Sequence, residues 1–591
     1  MSFSSSPNFA HGYPAPGPQS PTPQNVLDHV FFLSEEGWKR AREQERFDHV
    51  IVGSGVCGFA FAERVLDRDP SAKILMIERG PFFLPDHFQN LPMPYSLTLG
   101  GLSETFPWTL SRETASQPPG RISWQHGMVP FFGGRSIMWS AWCPRPLVEE
   151  MRDWPAAVIS TAERYFASAE SLLNVISADQ IDAELDPAVV AAVNENRPVY
   201  GLMQRALHTM LVDGLDRIPS ATRSMPAPLA AAAGDAAGLD FAKFSTPALL
   251  LELIASQQQL ASAGTGAPLA VVANCTVNRV LAQDGRATAL DTSRGVLNIG
   301  DANLILAMGT IPPTTLVLNS FTEVPGAGRR FTAHFITSVI ARVPRGDFPF
   351  AEQLADLELA AIYLAGKSKE DRQYHVQLSV LSDRDPIKNA AKAARYAPDV
   401  VATASRAQLA SSPDHLVFVC AVLGELNETN PANELTLNAG LDPTSNVLLR
   451  VLADSVDDRT WDTMDEATFE MMERVFSPAG ERRVEYWHGD PNTGSWQSAR
   501  PDVHERRVPG LVHEGSTLHI GVDDGAPVGL DYKLRGVENV YITGGSLWPT
   551  GGSWNPTMTM VALTQHLADT LTPVVTDSPH THSQEPSLAH R

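Results

Sequence analysis

The order of apolar and polar positions divides this chain into recognisable pieces. Val26, Val30, Phe31, Leu33 and Trp38 recur at helical spacing with charges between them, which predicts a helix over residues 26–46. The stretch FDHVIV then changes to a continuous apolar run, the pattern of a strand buried on both faces, and it passes through Gly53-Ser-Gly55-Val-Cys-Gly58 into an amphipathic helix reaching Leu66. A second apolar strand, KILMIE, follows and ends at Glu78. Residues 81–114 are rich in proline and aromatics without clear periodicity. The segment EEMRDWPAAVISTAERYFASAESLLNV returns to helical spacing behind an acidic first turn, and predicts the start of a new layer.

Residues 176–265 are alanine-rich and helical in tendency, broken in the middle by MPAPLAAAAGDAAGLD. From Ala267 the β pattern resumes: LAVVANCTVNRVLAQDG reads as a strand running to a turn, and ANLILAMGTIPPTTLVLNS as a buried strand, a glycine turn and a helix that bring the chain back to its first sheet. Farther on, SVIARVPR, YHVQLSVL, HLVFVCAVLG and NVLLRVLAD predict strands of a larger antiparallel sheet, with DDRTWDTMDEATFEMMERVF as a helix between them. No internal repeat of fixed period is visible. Both ends differ from the rest: residues 1–25, rich in Pro, Ser and Gly, and residues 576–591 lack the apolar content of a packed core and are predicted to be disordered tails.

Composition narrows the function. With 591 residues, 43% of them hydrophobic, the chain can bury a large core. Its 45 basic and 67 acidic residues give a net charge of -22 without a basic stripe, which argues against a nucleic-acid partner. Cys57, Cys143, Cys275 and Cys420 are far apart, show no metal-ligand spacing and read as small buried hydrophobes; no metal is expected. The first residues lack a basic region followed by an apolar one, and no apolar run has membrane-spanning length, so a cytoplasmic, soluble protein without a membrane partner is expected.

Two stretches carry candidate chemistry. In the first, Gly53 permits a tight turn, Gly55 lets the backbone approach a pyrophosphate, and Gly58 lets the helix pack on the strand, while Glu78 is placed to take ribose hydroxyls. A lone glycine fingerprint is weak; here strand, helix and second strand surround it, which predicts a dinucleotide site. The second stretch, LVHEGSTLHIG followed by GVENVYITGGSLWPTGGSWNPTMT, delivers His513 before a turn and Asn555 in a loop before a helix. Gly133 and Gly134 beside Ser136, flanked by Trp139 and Trp142, suit a backbone lying flat against a planar ligand.

Together these motifs resemble the glucose-methanol-choline (GMC) oxidoreductases, through VIVGSGVCG with IERG, FFGGRSIMW, LILAMGTIPPTTLVLNS, VHEGSTLHIG and NVYITGGSLWPTGGSWNPTMTMVALTQHLAD, in the family's order over about residues 47–572. GGRSIMWSAW, DWPAAVISTAERYFASAESLL and the Asn-Pro-Thr ending look most like the pyranose 2-oxidase branch. The resemblance implies an α/β (α+β overall) fold in which a Rossmann-like FAD-binding domain (26–150 with 266–334 and 510–575) is interleaved with a substrate domain (151–265 with 335–509) built on a mostly antiparallel sheet backed by helices.

It further implies that Gly53, Gly55 and Gly58 cradle the FAD pyrophosphate, Glu78 holds the adenosine ribose and Val277 meets the adenine. Gly133, Gly134, Ser136 and Trp139 would line the flavin, and Gly545, Asn555, Pro556 and Thr557 would close on its isoalloxazine. His513 matches the family's catalytic histidine and Asn555 its partner. The expected reaction is oxidation of a hydroxyl on a small molecule, a sugar by branch resemblance, with oxygen or another acceptor taking the electrons. Oxidation or coupling of a phenolic or polyketide-like metabolite, and a non-redox lyase keeping FAD, stand as alternatives. Met138 occupies the position where the pyranose 2-oxidase motif has the histidine that carries the flavin covalently, so non-covalent FAD is expected; Ser516 and Leu518-His519-Ile520 depart from the usual motif, and His519 reads as a structural residue.

Overall fold

The computed structural model describes residues 27–28, 30–91, 129–181, 199–232, 241–399 and 403–573, together with a short ribbon in which Phe9–Ala10 pairs antiparallel with Tyr13–Pro14. Apart from that ribbon, the expected N-terminal tail up to residue 25 lies outside the described residues, as does the C-terminal one.

A parallel sheet of five strands forms the first layer, in the order Val540–Ile542, Asn303–Leu306, His49–Val52, Ile74–Ile77, Ala270–Val272. Its residues are almost wholly buried, because helices cover the sheet, and this is why these strands read as unbroken apolar runs. Val56–Arg68 follows the first strand directly and packs against Thr557–Leu571, which in turn packs on Ala156–Leu172. Each strand comes from a different part of the chain, so the layer closes only when distant segments meet.

The second layer is an antiparallel sheet of eight strands. Along one path run Ser495–Gln497, Glu485–His488, Thr332–Pro344, His415–Glu425, Gln373–Asp383, Leu357–Lys367 and Ala221–Pro226, and Arg507–Gly515 pairs beside Glu485–His488 along the edge of Thr332–Pro344. The strands Thr332–Pro344 and Arg507–Gly515 run across the expected domain boundaries at residues 334 and 509. Helix Ser455–Glu470 covers the outer face, its N-terminus closed by a capping box between Asp454 and Asp457. Trp461 on that helix stacks on Phe335 at 4.6 Å and donates its indole N–H to the Thr337 hydroxyl at 2.8 Å.

Three expectations are corrected. The helix expected over 26–46 is divided: Leu27, Asp28 and Val30 are helical, the chain turns at Phe31 and Phe32, and a second helix, Glu35–Glu43, starts where the Ser34 hydroxyl caps the Gly37 amide. NVLLRVLAD does make a strand, Val447–Arg450, but it pairs with Glu434–Leu437 in a separate ribbon rather than with the large sheet. The alanine-rich region holds the helices Leu202–Asp213 and Pro247–Ser262, yet also the strands Ala221–Pro226 and Pro228–Ala230, the latter pairing with Val175–Ser177. All four cysteines are unpaired and buried. Among the described residues no helix is long and apolar enough to cross a membrane.

Because Trp461 is 2% exposed and ties the covering helix to the sheet, Trp461→Ala is expected to lower the unfolding free energy by about 3–5 kcal/mol, as truncation of a buried aromatic does. Chemical denaturation of the two proteins side by side measures it.

Candidate active site

A cavity of about 450 Å³ lies between the two sheets, and its lining includes Gly53, Gly55, Glu78, Gly134, Ser136, Trp139, Val277, His513, Gly545, Asn555, Pro556 and Thr557. Gly58 and Gly133, expected in the cofactor set, do not line it. Their roles are internal. A Cβ on Gly58 would stand 2.1 Å from the Gly53 carbonyl oxygen, so this glycine lets the helix sit on its own entry turn. Gly133, at φ 94°, leaves room for the Pro247 ring, which a Cβ would meet at 2.6 Å, and donates its amide to the Ser54 hydroxyl. His519 also lies off the cavity, buried, with its imidazole lowered to about 4 by desolvation.

The dinucleotide side is made largely of backbone. Gly53 takes φ 104°, and an added Cβ would meet the Ala307 carbonyl at 2.7 Å. A Cβ on Gly134 would come within 3.0 Å of the Gly55 Cα, so two glycine turns from distant segments converge there. Among the helix N-termini that face this space, Val56–Arg68 starts at Gly55 without a side-chain cap, and Thr557–Leu571 starts at Pro556, likewise uncapped. Uncapped amides and both helix dipoles make the region favourable to an anion such as a pyrophosphate. Glu78, at the end of its strand, is 5% exposed. Burial pushes its carboxyl up, while the Ser54 hydroxyl and amide at 2.6 and 3.1 Å and the Gly80 amide at 2.9 Å favour the carboxylate. These residues fit an FAD: they offer glycine-lined backbone, two helix N-termini and an acidic side chain at the second strand's end.

The opposite side is built from side chains. His513 sits on the edge strand with φ 62°, and its Nδ1 is 2.9 Å from Nδ1 of His334 on the neighbouring strand; one of these nitrogens donates and the other accepts. His334 is fully buried, and desolvation holds its imidazole down at about 4. His375, two strands away with its ring centroid 6.2 Å from that of His334, is held well below the usual histidine range by burial and by His334. Gln377 donates its amide to Asn555 Oδ1 at 2.9 Å and lies 3.2 Å from His375 Nε2. Beside them, Arg135 grips Glu514 through two contacts of 2.9 Å, joining the loop after Gly134 to the residue after His513.

The loop that carries Asn555 rests on a group of indoles. Trp154, Trp548 and Trp554 lie with ring centroids 5.6 to 6.1 Å apart, and Trp154 donates to the Thr550 hydroxyl at 3.0 Å. Gly552 takes φ 57° and its Cβ would stand 2.0 Å from the Trp554 ring, so only glycine allows the ring to fold under the loop. His334, His375, Gln377, Arg135 and Glu514 were not among the sequence candidates. For the strand residues the available signal was polar residues within apolar runs: His375, Gln377 and Ser379 alternate in YHVQLS, while His334, Thr337 and Ser338 interrupt AHFITS.

His334 is neutral in the folded protein around pH 6 but takes a proton when unfolded near its ordinary value of about 6.5, so the unfolded state binds more protons between about pH 6.5 and 4. Stability contributed by keeping it neutral is therefore present above about pH 6.5 and lost as pH falls toward 4. His334→Gln is expected to make the pH dependence of the unfolding free energy shallower over that window by up to about one proton, read by denaturant titrations at a series of pH values. An unchanged slope would show that this imidazole is not buried neutral.

Comparison with known proteins gives a family match and a fold match. Residues 429–564, which hold both His513 and Asn555, match the family model described as GMC oxidoreductase. The fold is similar to the crystal structure of pyridoxine 4-oxidase from Mesorbium loti, at 14% sequence identity and a TM-score of 0.52, over 89% of this chain and 99% of that one. No curated protein matches the sequence. The stretch from 429 to 564 is thus similar to the C-terminal domain of GMC oxidoreductases, and the chain's fold is similar to that of pyridoxine 4-oxidase.

Proposed function

We propose that this protein binds FAD non-covalently and oxidises a hydroxyl group of a small molecule, with His513 as general base and Asn555 as the hydrogen-bonding partner of the reacting oxygen. One observation carries the reading: His513 and Asn555, from different elements, line the same cavity as Gly53, Gly55 and Glu78. FAD in that cavity would supply the acceptor for the hydride leaving the carbinol carbon, and oxygen or another acceptor would take the two electrons onward.

The chain's own residues provide the rest. Asn555 Oδ1 is engaged by Gln377, which fixes the amide so that its Nδ2 donors remain for an oxygen acquiring negative charge. His513 takes the hydroxyl proton as the carbonyl forms. The Gly551 and Gly552 backbone favours the protonated form of His334, as carbonyls facing an N–H do. For His513 to act as base through Nε2, its Nδ1–H would donate to Nδ1 of His334, which lies 2.9 Å away. Gly53, Gly55, Gly134 and the two helix N-termini would hold the pyrophosphate, Glu78 the ribose, and Val277 the adenine; Ser136, Trp139, Gly545, Pro556 and Thr557 would enclose the ring system. Met138 lines the cavity where a covalent link would need an imidazole, and a thioether offers none.

His513→Ala is expected to retain FAD and to lose about two to four decades in the rate of flavin reduction by substrate, and Asn555→Ala about two to three. The parent's reductive rate should rise with pH through one step that is missing in His513→Ala. Anaerobic stopped-flow bleaching reads all three, and a His513→Ala protein that bleaches at the parent rate would remove the mechanism. For attachment, acid precipitation should leave the yellow colour in the supernatant; colour in the pellet would mean a covalent bond.

A further inference from the structure

The cavity wall facing the dinucleotide motif is a lattice set by strand register. Across Thr332–Pro344, His415–Glu425 and Gln373–Asp383, Ile336 lies opposite Leu423, which lies opposite His375; on the next rung Ser338 lies opposite Ala421, which lies opposite Gln377. Side chains alternate between the faces of a strand, so these rungs share one face. Phe335, Thr337, Val422 and Cys420 take the other, where Phe335 and Thr337 meet Trp461. From the edge strand, Val508 pairs with Ile336 and extends the first rung, and Val512 pairs with His334.

Ile336, Ala421, Leu423, Val508 and Val512 all line the cavity, and the lattice positions that bring polar atoms to it are Ser338 and Gln377. The Gln377 amide nitrogen is occupied by Asn555 and His375, so its Oε1 and the Ser338 hydroxyl are what this wall offers a ligand. No charged side chain stands at these seven positions. Charged residues line the cavity elsewhere, at Glu78, Arg79, Arg135, Asp399 and Glu514, and Glu514 and Arg135 are joined to each other.

A polyhydroxylated ring needs a partner for each hydroxyl it takes out of water, and hydroxyls set against five aliphatic side chains would find none. A carbon skeleton carrying a single hydroxyl matches the wall: its apolar part covers the aliphatic side chains, and its hydroxyl is directed to His513 and Asn555. We infer that the substrate is an apolar primary alcohol, aliphatic or benzylic, rather than the sugar implied by the pyranose 2-oxidase resemblance. The inference rests on the proposed oxidoreductase reading and adds the substrate class. The reaction converts R–CH2–OH to R–CHO: the hydroxyl proton passes to His513, the carbinol C–H leaves with its electron pair to FAD, and the two electrons go on to oxygen or another acceptor.

The test uses oxidised, FAD-loaded enzyme and two readouts, anaerobic flavin bleaching and isothermal titration calorimetry, with 1-propanol to 1-octanol, benzyl alcohol and D-glucose. Affinity is expected to rise about fourfold per added methylene until the wall is covered, with glucose at least about 100-fold weaker than hexanol. Ile336→Thr, which keeps the β-branched shape, should raise KM for hexanol about tenfold, and its effect should fall on KM rather than kcat. Val508→Thr on the edge strand serves if the first variant does not fold. Glucose binding as tightly as hexanol, or affinity independent of chain length, would overturn the substrate class. A clear chain-length series in calorimetry without bleaching by any alcohol would leave the substrate class standing and remove the redox reading, so the two can fail separately.

Discussion

The pairing of Arg507–Gly515 with Thr332–Pro344 makes one site out of two sheets. Its register is irregular: Thr332 is opposite Gly515 and His334 opposite Val512, so Ala333 faces both His513 and Glu514. An extra residue inserted in this way is a β-bulge, which locally re-aims side chains. Plain alternation would put Val512 and Glu514 on one face and His513 on the other, yet all three consecutive residues line the cavity. The backbone accommodates this by placing His513 at φ 62°, a left-handed conformation that costs a non-glycine residue about 1–2 kcal/mol. The long pairing of Thr332–Pro344 with His415–Glu425 on its other edge holds the strand against that strain.

The same segment connects the layers. Past the bulge, Ser516 takes φ 68° and the chain leaves the large sheet; the amides of Ser516, Leu518 and Ile520 then bond to the carbonyls of Gly545, Ser546 and Leu547, just beyond the parallel strand Val540–Ile542. Thr310, at the start of the helix following strand Asn303–Leu306, donates its hydroxyl to the Glu514 carbonyl at 2.6 Å. A Cβ on Gly545 would stand 2.7 Å from both that carbonyl and the Thr310 oxygen, so glycine is what permits this crossing. Displacing the bulge would therefore disturb the loop that enters Asn555 as well as His513.

What was legible in the sequence follows from which constraints are local. Gly58 could be read because its need is steric and confined to one turn, and Gly53 because its φ of 104° belongs to that turn even though the carbonyl it makes room for, Ala307, is distant in sequence; the parallel strands could be read because burial on both faces leaves an unbroken apolar run. His334, His375 and Gln377 could not, since other polar residues recur along the same strands, Thr332, Thr337 and Ser338 on one and Gln373 and Ser379 on the other, and nothing in a strand's own period says which strand lies beside it. The stretch NVLLRVLAD shows the same limit: its composition gives a strand, while its partner, Glu434–Leu437, depends on the whole chain. The bulge has no residue signature either, since the residue at φ 62° is a histidine and not the glycine that would have announced it.

The two walls of the cavity are built on different principles, and that separates their tasks. On the glycine-rich side the contacts come from glycine backbone and helix N-termini, and an added Cβ collides at Gly53, 2.7 Å from the Ala307 carbonyl, and at Gly134, 3.0 Å from the Gly55 Cα. On the facing wall the contacts come from side chains projecting off antiparallel strands whose hydrogen bonds do not depend on residue type. Exchanging Ile336, Ala421 or Leu423 alters the wall's chemistry without changing the register that holds it, whereas the glycine side has no such freedom. A fold of this kind can keep one cofactor cradle while its facing wall varies, and the link between them is the bulged strand, which must keep its register for His513 to reach the space that the two walls share.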